Sequence, residues 1–182
     1  MAEPWKRYDD EAEMEEELRS NEQKYLTFYI EGLLYAFNIN RVETIIKIQE
    51  ITPIPEFPKY SKGIIDLRGL TVPVIDVRLR FHKSEAEYTS QTCIIVVSIA
   101  NIQIGFIVDT VGSVVDIEQK NITPIPRISG DKQAAKFIDG VGRTEDKKII
   151  MILDASKMLD KEEIKSYEEL YYAENADVLG DD

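Results

Sequence analysis

The fold of this chain is decided by a pentapeptide that occurs twice, as Ile51-Thr-Pro-Ile-Pro55 and as Ile122-Thr-Pro-Ile-Pro126. Hydrophobic residues that precede each copy also match, at a constant distance of 69 positions. The matched residues are Phe37, Ile39, Val42, Ile45 and Ile48 in one copy and Phe106, Val108, Val111, Val114 and Ile117 in the other. A chance recurrence of five letters would not keep its neighbours in step. The sequence therefore indicates an internal duplication.

The distance between matching residues grows after the pentapeptide. Ile65-Asp66 aligns with Ile138-Asp139 at 73 positions, and Val74-Ile75-Asp76 aligns with Ile152-Leu153-Asp154 at 78. The growth falls at polar segments such as 143–148, as expected for loop insertions between retained strands. We divide the core into a first copy over about 24–90 and a second copy over about 91–160.

The pattern within each copy predicts short strands. Segments 25–30 and 33–39 flank Glu31-Gly32, and segments 93–99 and 102–108 flank Ala100-Asn101, so each copy opens with a predicted hairpin. Segment 51–58 is too rich in proline for the middle of a sheet and is predicted as a connector or an edge. Further strands are predicted over 63–68 and 72–77, with a turn at Gly69-Leu70. Strands of this length predict small barrels or sandwiches.

The two ends of the chain differ from its core. Residues 1–24 hold nine acids and four bases, and residues 161–182 hold eight acids and two bases. We interpret 1–23 as an acidic, flexible extension, with a marginal helix over 9–19 as the alternative. Asp160-Lys-Glu-Glu163 has the form of a capping box and predicts a helix over about 161–173, followed by an acidic tail to 182. Its apolar face packs on the protein itself or on a partner, and we favour the first.

Charge and hydropathy exclude several classes of function. The core, residues 25–160, holds 17 acids and 16 bases and suits protein partners better than the phosphates of nucleic acid. No run approaches the ~20 apolar residues of a membrane helix, and the N-terminus is acidic where a signal peptide is basic. We expect a soluble, cytoplasmic protein without membrane insertion. Cys93, the only cysteine, is interpreted as a small core residue.

No residue pattern indicates catalysis. The single histidine, His82, has no nucleophile pattern near it, and the sequence lacks phosphate-binding and metal-binding motifs. Four aspartates fall at matched points of the two copies, namely Asp66, Asp76, Asp139 and Asp154. We interpret them as turn residues rather than metal ligands. The sequence therefore predicts no catalytic residue, no cofactor and no metal.

Arg68 is the one functional candidate that comparison of the copies provides. The alignment of Ile65–Gly69 with Ile138–Gly142 places Arg68 opposite Val141, so a scaffold that tolerates valine would not need the arginine. Its guanidinium could bind a carboxylate or carbonyl groups of a partner. An intramolecular salt bridge is the equal alternative.

The sequence also resembles a known family. Residues 63–81 (GIIDLRGLTVPVIDVRLRF) closely resemble the central motif of the CheW family of chemotaxis coupling proteins, and residues 104–111 and 149–159 are similar to its later motifs. The resemblance covers about 24–160. It implies an all-β fold with a C-terminal helix, built as two intertwined, five-stranded SH3-like β-barrels, without catalysis or a cofactor.

The same resemblance implies a function and a site. Members of the family couple the histidine kinase CheA, through its regulatory domain, to the cytoplasmic signalling tip of methyl-accepting chemotaxis proteins. By position, the receptor-binding residues correspond to Arg68, Val42, Val111 and Val114, although core packing explains the valines equally well. Asp66 and Thr44 depart from the usual family residues. An adaptor for pilus motility or development is the alternative function.

Overall fold

The structure is a computed structural model that describes residues 4–125 and 136–179. Pro126, the last residue of the second pentapeptide, lies outside the described residues. The strands are β1 Lys24–Ile30, β2 Leu33–Asn38, β3 Val42–Lys47, β4 Ser61–Leu67, β5 Leu70–Asp76, β6 Cys93–Ile99, β7 Ile102–Val108, β8 Thr110–Asp116, β9 Ile122–Pro124, β10 Ile138–Arg143 and β11 Ile149–Leu153. The helices are α1 Pro4–Asn21, α2 Val77–Arg80, α3 Lys161–Glu174 and α4 Ala176–Leu179.

The strands form two sheets with the same plan. One has the order β3-β6-β7-β5-β4, and the other has the order β8-β1-β2-β11-β10-β9. In the five-stranded sheet, hairpin β6–β7 of the second copy lies between β3 and hairpin β4–β5 of the first copy. In the six-stranded sheet, hairpin β1–β2 of the first copy lies between β8 and hairpin β10–β11 of the second copy, and β9 is the sixth strand. The prediction of a mostly β fold with a C-terminal helix is confirmed.

The predicted division at residue 90 does not separate the two sheets. Hairpin β1–β2 belongs to the first copy in sequence but pairs with β8 and β11 of the second. Hairpin β6–β7 pairs in return with β3 and β5 of the first copy. The two copies therefore exchange their opening hairpins, and each sheet needs strands from both.

Each copy of the pentapeptide pairs with a glycine-containing strand, β4 in the first copy and β10 in the second. Thr52 bridges to Ile64 of β4, with both N–H to O distances at 2.9 Å. In the second copy Thr123 pairs with Val141 of β10. Segment 51–58, predicted as a connector or an edge, is a connector that bridges to β4 at Thr52 alone. The same Thr-to-strand pairing in both copies explains why the pentapeptide recurs.

This pairing corrects the alignment of the two copies. Gly63 pairs with Val74, and Gly140 pairs with Ile152. Because Val74 and Ile152 are matched residues of the two copies, Gly63 and Gly140 are equivalent. The predicted match of Ile65-Asp66 with Ile138-Asp139 is therefore out of register by four residues. Val141 is equivalent to Ile64, and the equivalent of Arg68 falls in the loop 144–148. The argument that valine replaces Arg68 is wrong.

Three hydrophobic clusters hold the sheets together. The largest lies between the sheets and contains the equivalent residues Phe37 and Phe106, whose rings meet at 5.5 Å. A second cluster is built only from strands of the five-stranded sheet, around Val74 and Val96. A third, around Ile117 and Ile152, serves the six-stranded sheet. Each sheet thus has a core of its own and shares a larger one.

Three hairpins turn through two residues with positive φ. Glu31 and Gly32 have φ of 50° and 78°, and Ala100 and Asn101 have φ of 48° and 68°, so both predicted opening hairpins are confirmed. The β4–β5 hairpin turns at Arg68 and Gly69, with φ of 53° and 89°, because Leu67 pairs with Leu70. The turn predicted at Gly69-Leu70 is displaced by one residue.

The C-terminal helix forms where its capping box predicts. Asp160 accepts from the Glu163 backbone N–H at 2.8 Å, and the Glu163 side chain accepts from the Asp160 N–H. Tyr167 and Tyr171 on its apolar face are buried in the shared core, so the preference for packing on the protein itself is confirmed. Burial raises the pKa of Tyr167 to about 12.

The N-terminal segment is helical in the structure. Helix α1 runs from Pro4 to Asn21, beyond the marginal helix considered over 9–19. It is fastened at its C-terminal end, where Asn40 donates to the Leu18 carbonyl at 3.2 Å. Side chains of residues 11–20 are all exposed. Among the described helices, α1 included, none combines the length and apolar character needed to span a membrane.

Candidate partner-binding surface

The outer strands β3 and β8 are equivalent and present apolar side chains at the ends of the two sheets. Val42 opens β3 and Val111 lies at the start of β8, and both are half-buried against the shared core. The core packing considered for these two valines is therefore present. It leaves part of each side chain accessible to solvent.

A bulge follows each of these valines. The register of β3 against β6 shifts between Val42 and Thr44, and the register of β8 against β1 shifts between Val111 and Val114. Thr27 fixes the second bulge by donating from its hydroxyl to the Ser113 carbonyl at 2.6 Å. A bulge bends an edge strand and turns the following side chains. It also blunts an edge against pairing with another sheet.

Beyond the bulges, each strand exposes one aliphatic residue. Val114 is 50% exposed, and its equivalent Ile45 is 41% exposed. Large aliphatic side chains exposed at equivalent positions indicate a contact surface more strongly than a single one would. Ile45 was missed among the candidate site residues, although the constant spacing of 69 positions already paired it with Val114.

Arg68 occupies the tip of the β4–β5 hairpin. Its side chain is exposed, and among the described residues it makes no ion pair or hydrogen bond. The intramolecular salt bridge considered from the sequence is not formed within that part of the chain. Its backbone is held in the left-handed region at φ 53° by the turn. Arg68 thus presents a guanidinium to solvent from a short, defined turn.

Polar contacts brace the base of this turn. Asp66 accepts from the Gly69 N–H at 2.8 Å, and its carbonyl accepts from the Gln49 amide, also at 2.8 Å. A shallow depression of about 430 Å³ lies beside them, lined by Gln49, Glu50, Thr52, Ile64, Ile65, Asp66 and Thr71. A partner that engages Arg68 would meet polar groups there.

The four predicted site residues are spread over both sheets. Val111 and Val114 lie on the six-stranded sheet, whereas Val42 and Arg68 lie on the five-stranded sheet. Gln49, two residues beyond β3, contacts Asp66 and so joins the end of β3 to the Arg68 turn. The structure thus connects Arg68 with the C-terminal end of β3, while Val42 stands at the other end of that strand.

The four aspartates serve local structure, although the corrected register leaves only Asp76 and Asp154 as a matched pair. Asp76 accepts from the Arg78 N–H at 2.9 Å at the start of α2, and Asp154 accepts from the Ser156 N–H at 3.0 Å at the start of a 3-10 turn. Asp139 instead pairs with Lys157 at 2.6 Å. Within residues 4–125 and 136–179, no three His, Cys, Asp or Glu side chains are grouped as metal ligands would be.

Comparison with known proteins shows the family. A model of the CheW-like domain matches residues 24–163. The chain belongs to the CheW family. It is 33% identical to the chemotaxis protein CheW of Bacillus subtilis over 153 residues, which is 84% of this chain and 96% of that protein. It is 30% identical to CheW of Thermotoga maritima over 146 residues, covering 79% and 92% of the two chains.

A solved structure agrees with this family assignment. The scaffolding protein TtCheW from Thermoanaerobacter tengcongensis superposes with a TM-score of 0.69 at 33% identity, over 76% of this chain and 92% of that one. The CheW family is a family of chemotaxis scaffold proteins, and this chain shares its two-sheet architecture. The resemblance inferred from residues 63–81 is thereby confirmed.

Proposed function

We propose that this protein is a non-enzymatic adaptor that couples the histidine kinase CheA to methyl-accepting chemoreceptors. In this proposal it is a cytoplasmic protein that joins receptor arrays at the membrane without entering the bilayer. The regulatory domain of CheA and the receptor's signalling tip are its two partners. Membership of a scaffold family supports the proposal.

The observation that carries the receptor side of the proposal is Arg68, which has no side-chain partner within residues 4–125 and 136–179 and stands on a braced turn. Burying an unpaired arginine against a partner costs desolvation, so the partner has to supply a carboxylate or carbonyl groups in return. An amphipathic helix can offer both an apolar stripe and flanking carboxylates. We assign Val42, Val111 and Val114 to the apolar contact, and we add Ile45 by its equivalence to Val114.

The experiment compares two charge reversals at equivalent tips of the two copies. Arg68→Glu changes the turn of the first copy, and Lys147→Glu makes the same change of charge in the loop of the second. Both side chains are exposed with positive φ, at 53° and 62°, so neither variant should alter stability by more than about 0.5 kcal/mol. Binding to a receptor signalling-tip fragment is then measured at one salt concentration.

We expect Arg68→Glu to weaken receptor binding by about 30-fold or more, as the loss of a central arginine does in other interfaces. Lys147→Glu should bind normally, and both variants should still bind CheA. Equal losses in the two variants would reveal a general charge effect. Normal binding by Arg68→Glu would remove Arg68 from the site.

Reconstitution tests the adaptor function itself. CheA autophosphorylation is measured with receptor alone and after addition of the wild-type chain or the Arg68→Glu variant. The wild type should make kinase activity depend on receptor state, and the variant should not. Absence of any kinase response to the wild type would favour the adaptor for pilus motility or development.

A further inference from the structure

The C-terminal helix reaches the hairpin that carries Arg68 through one buried side chain. Asn175 follows the last residue of α3 and is fully buried, with 0% exposure. Its amide group binds both backbone polar groups of Thr71. Asn175 Oδ1 accepts from the Thr71 N–H at 2.7 Å, and Asn175 Nδ2 donates to the Thr71 carbonyl at 2.8 Å.

Thr71 needs this partner because of the hairpin's geometry. Leu67 and Leu70 form the closing pair of the two-residue turn, so the next pair, Asp66 and Thr71, does not exchange backbone hydrogen bonds. On its other side β5 pairs with β7 only from Val74 onward. The Asn175 amide thus takes the place of a neighbouring strand at Thr71.

The position of Asn175 is itself fixed by the helix. Its N–H donates to the Tyr171 carbonyl at 3.0 Å, and its carbonyl accepts from the Val178 N–H at 3.0 Å. Tyr171, one turn earlier, is buried in the shared core. The Arg68 turn is therefore braced on the β4 side by Gln49 and on the β5 side by Asn175.

We propose that Asn175 is a positioning residue for receptor binding, which makes α3 a clamp on the Arg68 turn. The inference rests on the proposed role of Arg68. With the amide in place, the turn is ordered before binding. Without it, binding has to order the backbone of at least one further residue, which corresponds to a loss of affinity of roughly fivefold or more.

A double-mutant cycle tests the clamp on the full chain with a receptor signalling-tip fragment. The variants are Arg68→Ala, Asn175→Ala and the two combined. If Asn175 acts through Arg68, Asn175→Ala weakens binding in the wild type but adds little in the Arg68→Ala background, because the group that it positions is gone. Additive losses, or normal binding by Asn175→Ala, would overturn the clamp.

The control variant separates positioning from stability. Ile164→Ala removes packing near the start of the same helix, away from Thr71. It should lower the thermal midpoint without weakening receptor binding. If both variants lose affinity in proportion to their loss of stability, Asn175 is a structural residue only.

Amide hydrogen exchange tests the clamp independently of the role of Arg68. Asn175→Ala should accelerate exchange at Gly69, Leu70 and Thr71 by about fivefold or more relative to the β6–β7 turn at Ala100-Asn101. If Arg68→Ala binds receptor normally, the proposed role of Arg68 is wrong and the binding part of the inference fails with it. Unchanged exchange at these residues would refute the clamp by itself.

Discussion

The tips of the β4–β5 and β10–β11 hairpins differ although the hairpins occupy equivalent places in the two sheets. The first turns through Arg68 and Gly69 and is fastened to α3, whereas the second turns through the longer loop 144–148. The bases of the two hairpins are alike, since each pairs with a copy of the pentapeptide. The duplicated sequence is kept where the pentapeptide pairs with each hairpin base, and it differs at the tip for which we propose a partner contact.

Alanine substitution of Gly63 and Gly140 tests whether the bases of the β4–β5 and β10–β11 hairpins contribute equally to stability. A Cβ on Gly63, which has φ of 137°, would lie 1.9 Å from the Thr52 carbonyl oxygen. A Cβ on Gly140 would lie 2.8 Å from the Ile122 Cγ2 atom and 3.0 Å from the Thr123 carbonyl oxygen, so the contacts are less severe than at Gly63. We expect Gly63→Ala to lower the free energy of unfolding by about 3 kcal/mol or more and Gly140→Ala by about 1 to 2 kcal/mol. Urea denaturation measures both.

Equal losses of unfolding free energy in the two glycine variants would show that the pentapeptide pairs equally well with β4 and β10 despite the different backbone conformations of the two glycines. A larger loss for Gly140→Ala would contradict the distances given above. Receptor binding by whatever fraction stays folded should be unaffected in Gly140→Ala.

Alkaline pH tests how much the buried Tyr167 of α3 contributes to stability. Burial raises the pKa of Tyr167 to about 12, above the value of about 10 for an exposed tyrosine. Stability from this neutral side chain is complete below pH about 10 and is lost as the pH rises toward 12. We expect a loss on the order of 2 kcal/mol over that range.

The matched variant Tyr167→Phe cannot ionise and should lose less stability between pH 10 and 12 than the wild type. Thermal melts at several pH values, with absorbance at a tyrosinate wavelength, follow the two processes together. Identical pH profiles for the two proteins would assign the alkaline transition to other tyrosines.

Substitution of the exposed aliphatic residues Ile45 and Val114 tests whether both copies contribute equally to receptor binding. Ile45→Asp and Val114→Asp place a charge at equivalent points of β3 and β8, where half-exposed side chains tolerate the change. If both strands contact the receptor, each variant should weaken binding by about tenfold. Titration calorimetry with a receptor fragment measures the two affinities. A loss confined to Val114→Asp would restrict the contact surface to the second copy.

Removal of α1 should have the smallest effect on stability. Its side chains from residue 11 to 20 are exposed, and Asn40 donates a hydrogen bond to the Leu18 carbonyl near its C-terminal end. Deletion of residues 1–21 should change the free energy of unfolding by less than about 0.5 kcal/mol. A loss of several kcal/mol in a denaturant titration would show that the helix supports the sheets.

Local chemistry made part of the fold predictable. Gly32 and Asn101 readily adopt the positive φ that a two-residue turn requires, and the capping box at Asp160 satisfies helix donors within its own first turn. These features depend on neighbours within a few residues. The hairpins and α3 were therefore predicted with nearly the bounds that the structure has.

Longer-range pairing was predicted less well. The alignment of Ile65-Asp66 with Ile138-Asp139 was four residues out of register because Ile-Asp dipeptides occur at both places by coincidence. The true equivalence depends on the contact of each glycine with Thr52 or Thr123, which is distant in sequence. The hydrogen bonds between Asn175 and Thr71 were not predicted, since nothing near Asn175 in sequence indicates them.

The duplication, the mostly β fold and the resemblance to the CheW family can be read from the amino-acid sequence, because the pentapeptide, its spaced neighbours and residues 63–81 are local and countable. The exchange of hairpins, the exposure of Arg68 on a turn with no side-chain partner among the described residues, and the similar exposure of Ile45 and Val114 became visible only in the folded chain. Strand pairing, burial and side-chain partners depend on residues far apart in the chain, so they are fixed when the chain packs.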